Sequence, residues 1–510
     1  MYGFNIIQTP DNLSKVQTVN DNQIVYNNIV CNNKMIPKFN DDKIFSETDE
    51  HIIILDGVIT NKKEIINETK LAFKDAIAYL YGKYGEHFFN VFRGSFAGAF
   101  FDKKSNKWIV FSDQIGSKFL FYYHQNEFFV CSSVMGDMYN ILRNLNINYS
   151  LSTENALLLL TYGFMLEDRT LSNEIKKIEP GCYLVYENNS VKIKQFFEIK
   201  NDCNNSLNER DSIELIDFHF RQAIKRQFEK DLEYEYKHLV ALSAGLDSRM
   251  TSWVAHEMGY HDQLNFTYSQ SNYLDETVPK KISSDLMHEW IFKALDNGLW
   301  LYDNIDQITE ISGGNVAYSG LAHTNSLLKY LNFNEVGLIH SGQLGDVIIG
   351  ASYSNVKGKS KGFVFGDGAY SKKHLDLIDF KPNRVYADKE TTMLYYRGFS
   401  GINYGLQLTY KFTESLSPFL DIDFINEVLS VPLKFRQNHR VYRKWIMKKY
   451  PGAAKYVWEH IGGKITEPII TIFGRKMTFR KFMSIIMVKA TLKGHNINTP
   501  KHMNPLGYYY

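Results

Sequence analysis

Five hundred and ten residues, at roughly 150 per domain, allow two large domains or about three ordinary ones. A hydrophobic share of 44% with 15% aromatic residues supports large cores and excludes disordered and fibrous classes. Lys+Arg 58 against Asp+Glu 56 leaves a net charge of +2, which argues against nucleic acid as a chain-wide partner. Cys31, Cys131, Cys182 and Cys203 lie far apart with no CxxC pair, so neither a disulfide framework nor a zinc site is encoded. The start lacks a signal-peptide pattern, and the apolar run at 482–488 is too short for stable membrane insertion. The expectation is a cytoplasmic protein.

Taken in chain order, the first 200 residues read as short strands and turns. His51-Ile52-Ile53-Ile54-Leu55 runs into the turn signal Asp56-Gly57. Residues 96–101 and 108–111 form a hairpin around a charged connection, and 120–123, 128–131 and 182–186 are further strands. Residues 154–162 have helical character. A polar stretch at 201–206 reads as a linker.

Beyond it, Ile213, Ile216, Phe220, Ala223 and Ile224 recur at helical spacing. A buried-strand run at 238–242 leads through a glycine-containing loop into a helix over 249–258, with a second strand at 264–268. Strand–loop–helix–strand at this spacing predicts a parallel sheet.

The loop Ser243-Ala244-Gly245-Leu246-Asp247-Ser248 carries the sharpest signal. Its backbone N–H groups and the following helix start suit a pyrophosphate, its serines add hydroxyls, and Asp247 can hold Mg²⁺. A tight turn whose serines merely cap the helix is the bland alternative. The Walker spacing and its lysine are absent.

Ser-Ala-Gly-Leu-Asp-Ser resembles the SGGLDS pyrophosphate loop of the asparagine synthetase family, departing only at Ala244. Asp113, Gly116, Phe119 and Tyr122 resemble that family's RDxxGxxPLYY segment, residues 92–97 its LRGMFAFA, and residues 178–184 its LPPGHYL. Ser417-Pro418-Phe419-Leu420-Asp421 resembles VPFLD. The likeness runs in order from residue 1 to about 470. It implies an α/β protein: an α+β, αββα amidotransferase-type sandwich over 1–200, a parallel α/β nucleotide domain over 207–475, and a C-terminal extension over 476–510. ATP and Mg²⁺ are the implied cofactors. Ala241, Ser243, Ala244, Gly245, Leu246, Asp247, Ser248, Tyr268, Ser341 and Gly342 are assigned to nucleotide binding, with Asp247 and Asp346 on the metal.

The departures are informative. The family's glutamine-hydrolysing cysteine at position 2 is Tyr2, the glutamate of NGEIYN is Val58, and HRGPD has no counterpart at 40–49. These losses imply a non-hydrolysing N-terminal domain. The family's SGEGSDE is matched by residues 341–347, where Ser341, Gly342 and Asp346 remain but the catalytic glutamate is Gln343. An amide cannot accept a proton as a carboxylate does. By spacing, the family's pyrophosphate-stabilising lysine falls near Arg440, with Arg443 and Lys444 as rivals and Lys464 as a further cation. Asp275-Glu276 could bind an acceptor amine or a metal but reads first as a solvated helix start, and His323, His340 and His439 read as scattered single histidines rather than a metal site.

The expected reaction is ATP-dependent activation of a small-molecule carboxylate as its acyl-adenylate, then attack by ammonia or an amine. A homodimer is the candidate assembly. The alternatives are a catalytically reduced scaffold protein, and an amide-forming tailoring enzyme acting on a glycan or peptide precursor.

Overall fold

Strands that are apolar on both faces decide the N-terminal architecture, because each face must find its own cover. The computed structural model describes residues 2–10, 22–354, 363–472, 475–479, 481–483 and 485–486. Most of the expected extension over 476–510, including Tyr508, Tyr509 and Tyr510, lies outside the described residues. The chain divides into two units: residues 1–200, 304–321 and 357–415 form the first, and 201–303, 322–356 and 416–510 the second.

In the first unit the strands are β1 (Gly3–Gln8), β2 (Gln23–Tyr26), β3 (Ile29–Lys34), β4 (Ile44–Glu47), β5 (His51–Ile59), β6 (Gly94–Asp102), β7 (Lys107–Ser112), β8 (Phe121–Gln125), β9 (Phe128–Ser132), β10 (Lys176–Lys177), β11 (Cys182–Glu187) and β12 (Ser190–Gln195). They form two antiparallel six-stranded sheets, ordered β10-β8-β9-β1-β3-β2 and β12-β11-β7-β6-β5-β4. Ile52, Ile54, Ala97, Ala99, Trp108 and Val110 of the second sheet pack on Phe4, Ile6 and Phe129 of the first. Their alternate neighbours Ile53, Leu55, Phe96, Phe100, Ile109 and Phe111 pack instead under α1 (Lys62–Thr69) and α2 (Phe73–Tyr84), through Ile65, Ile77 and Leu80. On the other outer face, Met135, Met138 and Leu142 of α3 (Met135–Asn144) cover Ile7, Val30 and Phe121. This is the expected αββα sandwich. The expected helix is α4 (Thr153–Tyr162), whose N-cap Ser152 accepts from the Asn155 N–H.

Two of the segments that carry the resemblance meet in this unit. Asp113 is buried and accepts N–H bonds from Phe96, Ile115 and Ser117, which closes the turn after β7. Gly116 stands at φ +62°, where a Cβ would lie 3.2 Å from Pro180.

The second unit opens with α5 (Glu209–Glu233), capped by the Asn208 side chain. It continues through β13 (Lys237–Ala241), α6 (Leu246–Glu257), β14 (Gln263–Ser269), α7 (Leu274–Asp285), β15 (Glu289–Ala294) and β16 (Val336–His340). The sheet order is β15-β14-β13-β16, parallel throughout, with a two-residue strand at 415–416 beside β16. Two successive strand–helix–strand crossovers place the loop after β13 at the carboxyl ends of central strands. Open α/β sheets bind ligands there.

Candidate functional site

Ser243, Gly245, Leu246, Asp247 and Ser248 line a cavity of about 330 Å³, together with Gly342, Gln343, Leu344 and Asp346 from the segment after β16. His439, Tyr442, Trp458 and His460 complete its wall. No side chain caps α6 at Gly245, so the N–H groups of its first turn, which have no intrahelical partner, open toward this end. The Ser248 Oγ accepts from the Ser243 N–H at 2.9 Å, and the two hydroxyls stand 2.9 Å apart.

Glycine is required where the two segments meet. A Cβ on Gly342 would lie 2.1 Å from the Ser248 nitrogen, and one on Gly345 would lie 2.7 Å from the Asp247 carboxyl carbon. Leu344 holds φ +65° at the start of the one-turn helix Gly345–Ile348.

The two aspartates are joined through this contact. Asp247 Oδ2 accepts the Asp346 N–H at 2.9 Å and Oδ1 accepts the Tyr442 hydroxyl at 2.8 Å. Burial, followed by the Asp346 charge, pushes the Asp247 carboxyl well above the usual range. Asp346 is reached by solvent within the cavity yet surrounded by protein, and desolvation raises it too, against a hydrogen bond from Ser352. A carboxyl raised by burial and by its neighbour's charge, with a second raised by desolvation, beside helix-start N–H groups suits a hard divalent cation carrying a polyphosphate. Asp247 and Asp346 would hold Mg²⁺, and the loop would hold the phosphates.

Other expected residues lie apart from the cavity wall. Ala241 is half-buried on β13, and Ala244 is fully buried. Tyr268 bonds the Thr324 hydroxyl at 3.1 Å and stacks obliquely on His323. Ser341 is buried, with its hydroxyl accepting the Gln343 N–H at 3.4 Å. Arg440 is held at the surface by Glu209, 2.6 Å away, and the same carboxylate takes Lys444. Arg443 donates to the Ile465 carbonyl at 2.7 Å. Lys464 is exposed, its backbone N–H bonded to Glu467.

Three positioning groups escaped the sequence reading. Asp275 is buried rather than solvated and accepts the Ala244 N–H at 2.7 Å, fixing the loop from α7. Fully buried Arg249 donates to the carbonyls of Ala244, Ala453, Tyr456 and Val457, which ties the loop to the segment leading into Trp458 and His460. Burial lowers that guanidinium only to about 10, so it stays charged. His340 is not a scattered histidine. Asp231 accepts from His238 Nδ1 at 2.8 Å and His340 Nε2 at 2.6 Å, a buried trio that fixes the end of β16 beside Ser341. Its spacing in sequence gives no signal, because α5, β13 and β16 bring it together.

The VPFLD-like segment acts from behind. The Ser417 hydroxyl donates to the Gln343 carbonyl at 3.0 Å, and Asp421 caps the helix Ile422–Ser430 while pairing with Arg226.

The first unit has its own cavity, of about 390 Å³, with Tyr2, Lys34, Asp56, Lys118, Gln407 and Tyr410 among its walls. Lys43 and Lys118 interleave with Asp56 and Glu414 behind it, at 2.8 to 3.6 Å. Burial pushes Asp56 up, but the two ammonium groups outweigh it and hold it below its usual value. None of the four cysteines reaches this cavity.

A glutamine amidotransferase domain model matches residues 40–197. Over 348 residues the chain is 25% identical to a putative glutamine-hydrolysing asparagine synthetase of Methanocaldococcus jannaschii, spanning 64% of this chain and 64% of that relative's length. The resemblance to the asparagine synthetase family carried by the motifs thus extends to an alignment over 64% of the chain. Among solved structures, the glutamine phosphoribosylpyrophosphate amidotransferase of B. subtilis is similar at 12% identity and TM-score 0.25, over 51% of this chain and 58% of that one. The NH3-dependent NAD synthetase of Campylobacter jejuni is similar at 14% and TM-score 0.20, over 28% and 61%.

Proposed function

We propose that this protein is an ATP-dependent, amide-forming ligase of asparagine synthetase type that takes free ammonia or an amine and no longer hydrolyses glutamine. The observation that carries this reading is the convergence of the loop 243–248 and the Asp247–Asp346 pair on one cavity. Bound there, Mg·ATP would supply the adenylyl group that activates a carboxylate, with AMP and pyrophosphate as leaving products.

The chain's own residues would do the rest. The first turn of α6 and the serine hydroxyls hold phosphate oxygens. Asp247, steadied by Tyr442, and Asp346 hold the cation. His439 and His460 already face the cavity. Arg440 would join them by leaving Glu209, an exposed pair that holds it by only about 1 kcal/mol or less. Gln343 can orient an incoming nitrogen but cannot take its proton, so the nucleophile must arrive as the free base.

The loss of glutamine hydrolysis is supported by Tyr2 at the first unit's cavity. It is supported equally by the cysteines, of which Cys31, Cys131 and Cys182 are buried with their thiols pushed up, Cys182 to about 11. The scaffold reading is favoured by one observation, that Ser243 and Ser248 already bond each other.

Exchange of labelled pyrophosphate into ATP, screened across small carboxylic acids, tests the proposal. Exchange dependent on one carboxylate class is expected. Absence of both exchange and Mg·ATP binding by calorimetry would favour the scaffold reading.

A further inference from the structure

We propose that the outer edge of β15 is a self-association surface, on which a second copy of this chain pairs antiparallel about a two-fold axis at Ile291. β15 ends the parallel sheet of the second unit, and among the described residues no strand pairs with its outer side. Its register with β14 is unbroken from Glu289 to Ala294, and residues 288–295 hold no proline or glycine that would blunt the edge. Apolar side chains are exposed along it: Met287, just before the strand, is 90% exposed and Ile291 37%. Tyr330, 68% exposed, stands beside the strand with the Lys293 ammonium over its ring. On the opposite face Trp290 and Phe292 are half-buried and stack with their ring centres 5.7 Å apart.

The backbone and the charges select one register. Leu295 sends its N–H inward to the Ser269 carbonyl, so by alternation Trp290, Phe292 and Ala294 turn theirs outward. A two-fold axis normal to the sheet leaves each face on its own side, so two residues can stand opposite only when both are odd-numbered or both even. With the axis at Ile291, Trp290 of one copy and Phe292 of the other exchange N–H and C=O bonds, on both sides of the axis. Glu289 then stands opposite Lys293 of the second copy, twice, in the pairs without hydrogen bonds, whose side chains come closest. Moving the axis to Trp290 or Phe292 sets Glu289 or Lys293 against Ile291 and loses both ion pairs. Glu289 is free to turn outward, because Lys237, which it holds at 2.8 Å, keeps Asp262 at 3.1 Å. The strand therefore complements itself in charge, in apolar contact and in hydrogen bonding, as a peptide added to a sheet edge must. A junction of about seven residues a side is small, which places the dimer in about the micromolar range.

Sedimentation velocity of the full chain from about 1 to about 200 µM tests this. The unaltered protein should pass from monomer to dimer over that range. Ile291→Lys sets two ammonium groups against each other across the axis, and Lys293→Glu sets a second carboxylate against Glu289 in both pairs. Each should weaken the dimer about tenfold or more. Combining Glu289→Lys with Lys293→Glu restores opposite charges and should recover the dimer. All three side chains reach solvent, so the circular dichroism of each variant should match that of the unaltered protein. A monomer at every concentration, a dimer that persists in both single variants, or a charge-swapped variant that stays monomeric would overturn the proposal.

Discussion

At the scale of single residues, the Asp247–Asp346 pair is the place where stability and binding pull in opposite directions. Both carboxyls are raised in the folded protein, Asp247 by burial and then by Asp346, and Asp346 by desolvation. A raised acid keeps in the native state a proton that the unfolded chain would release. Its stabilising contribution is full below the ordinary carboxylate value of about 4 and is lost as pH rises through the raised value. Asp346→Asn should therefore stabilise the cation-free protein at pH 8 and flatten its pH profile. Solvent reaches Asp346 and screens the pair, which limits the gain to about 1 kcal/mol. Thermal denaturation between pH 5 and 8.5 should show it as a rise of about 2–4 °C at the upper end. The same variant should weaken Mg·ATP binding by about tenfold or more, a loss of at least about 1.4 kcal/mol. A lower melting temperature with unchanged nucleotide affinity would assign Asp346 to the fold and remove it from the metal.

Between elements, the site depends on how closely the segment after β16 approaches the start of α6. Gly342→Ala would put a methyl 2.1 Å from the Ser248 nitrogen, and backbone cannot swing aside as a side chain can. The strain should cost about 1–3 kcal/mol and spread Asp247 from the Asp346 amide. A lower chemical-denaturation midpoint together with lost Mg·ATP binding is the expected pair of readings, and a variant with normal midpoint and affinity would contradict the packing. This approach was legible in sequence only as a resemblance, because glycine in the 341–346 stretch stands in a local motif. The sandwich was legible for the same local reason: 51–55, 96–101 and 108–111 are apolar runs bounded by turn signals. Asp275, Arg249 and the buried Asp231–His238–His340 trio were not. Each acts on a partner many residues away, such as Arg249 on Val457, and a charged residue near a helix start looks solvated until its neighbours are placed. Arg440 shows how far a count along the sequence fixes register. Counting from the 417–421 motif reached the right helix, but His439 and Tyr442 are the residues that face the cavity while Arg440 turns to Glu209.

For the molecule as a whole, the question is which half-reactions survive in each unit. With Tyr2 at the first cavity and no cysteine reaching it, glutamine should yield no glutamate, and turnover clearly above a no-enzyme control would restore hydrolysis to the first unit. The second unit presents the more informative test, because activation and nitrogen attack make different demands on it. Activation needs the loop and the carboxylate pair, which line one cavity, and a cation, which Arg440 would bring by leaving Glu209. Attack needs a proton acceptor, and Gln343 removes a group that typically contributes about 10²- to 10⁴-fold. If only that assistance is missing, carboxylate-dependent pyrophosphate exchange should be robust while amide formation is slow. It should then climb with pH as free amine replaces ammonium. Gln343→Glu should accelerate amide formation and reduce that dependence, leaving the affinity for Mg·ATP unchanged, because the side chain serves the later step. Single-turnover measurements of the two steps would separate them. If Gln343→Glu changes ATP affinity but not the amide-forming rate, Gln343 belongs to the nucleotide pocket, and the proton must leave by another route.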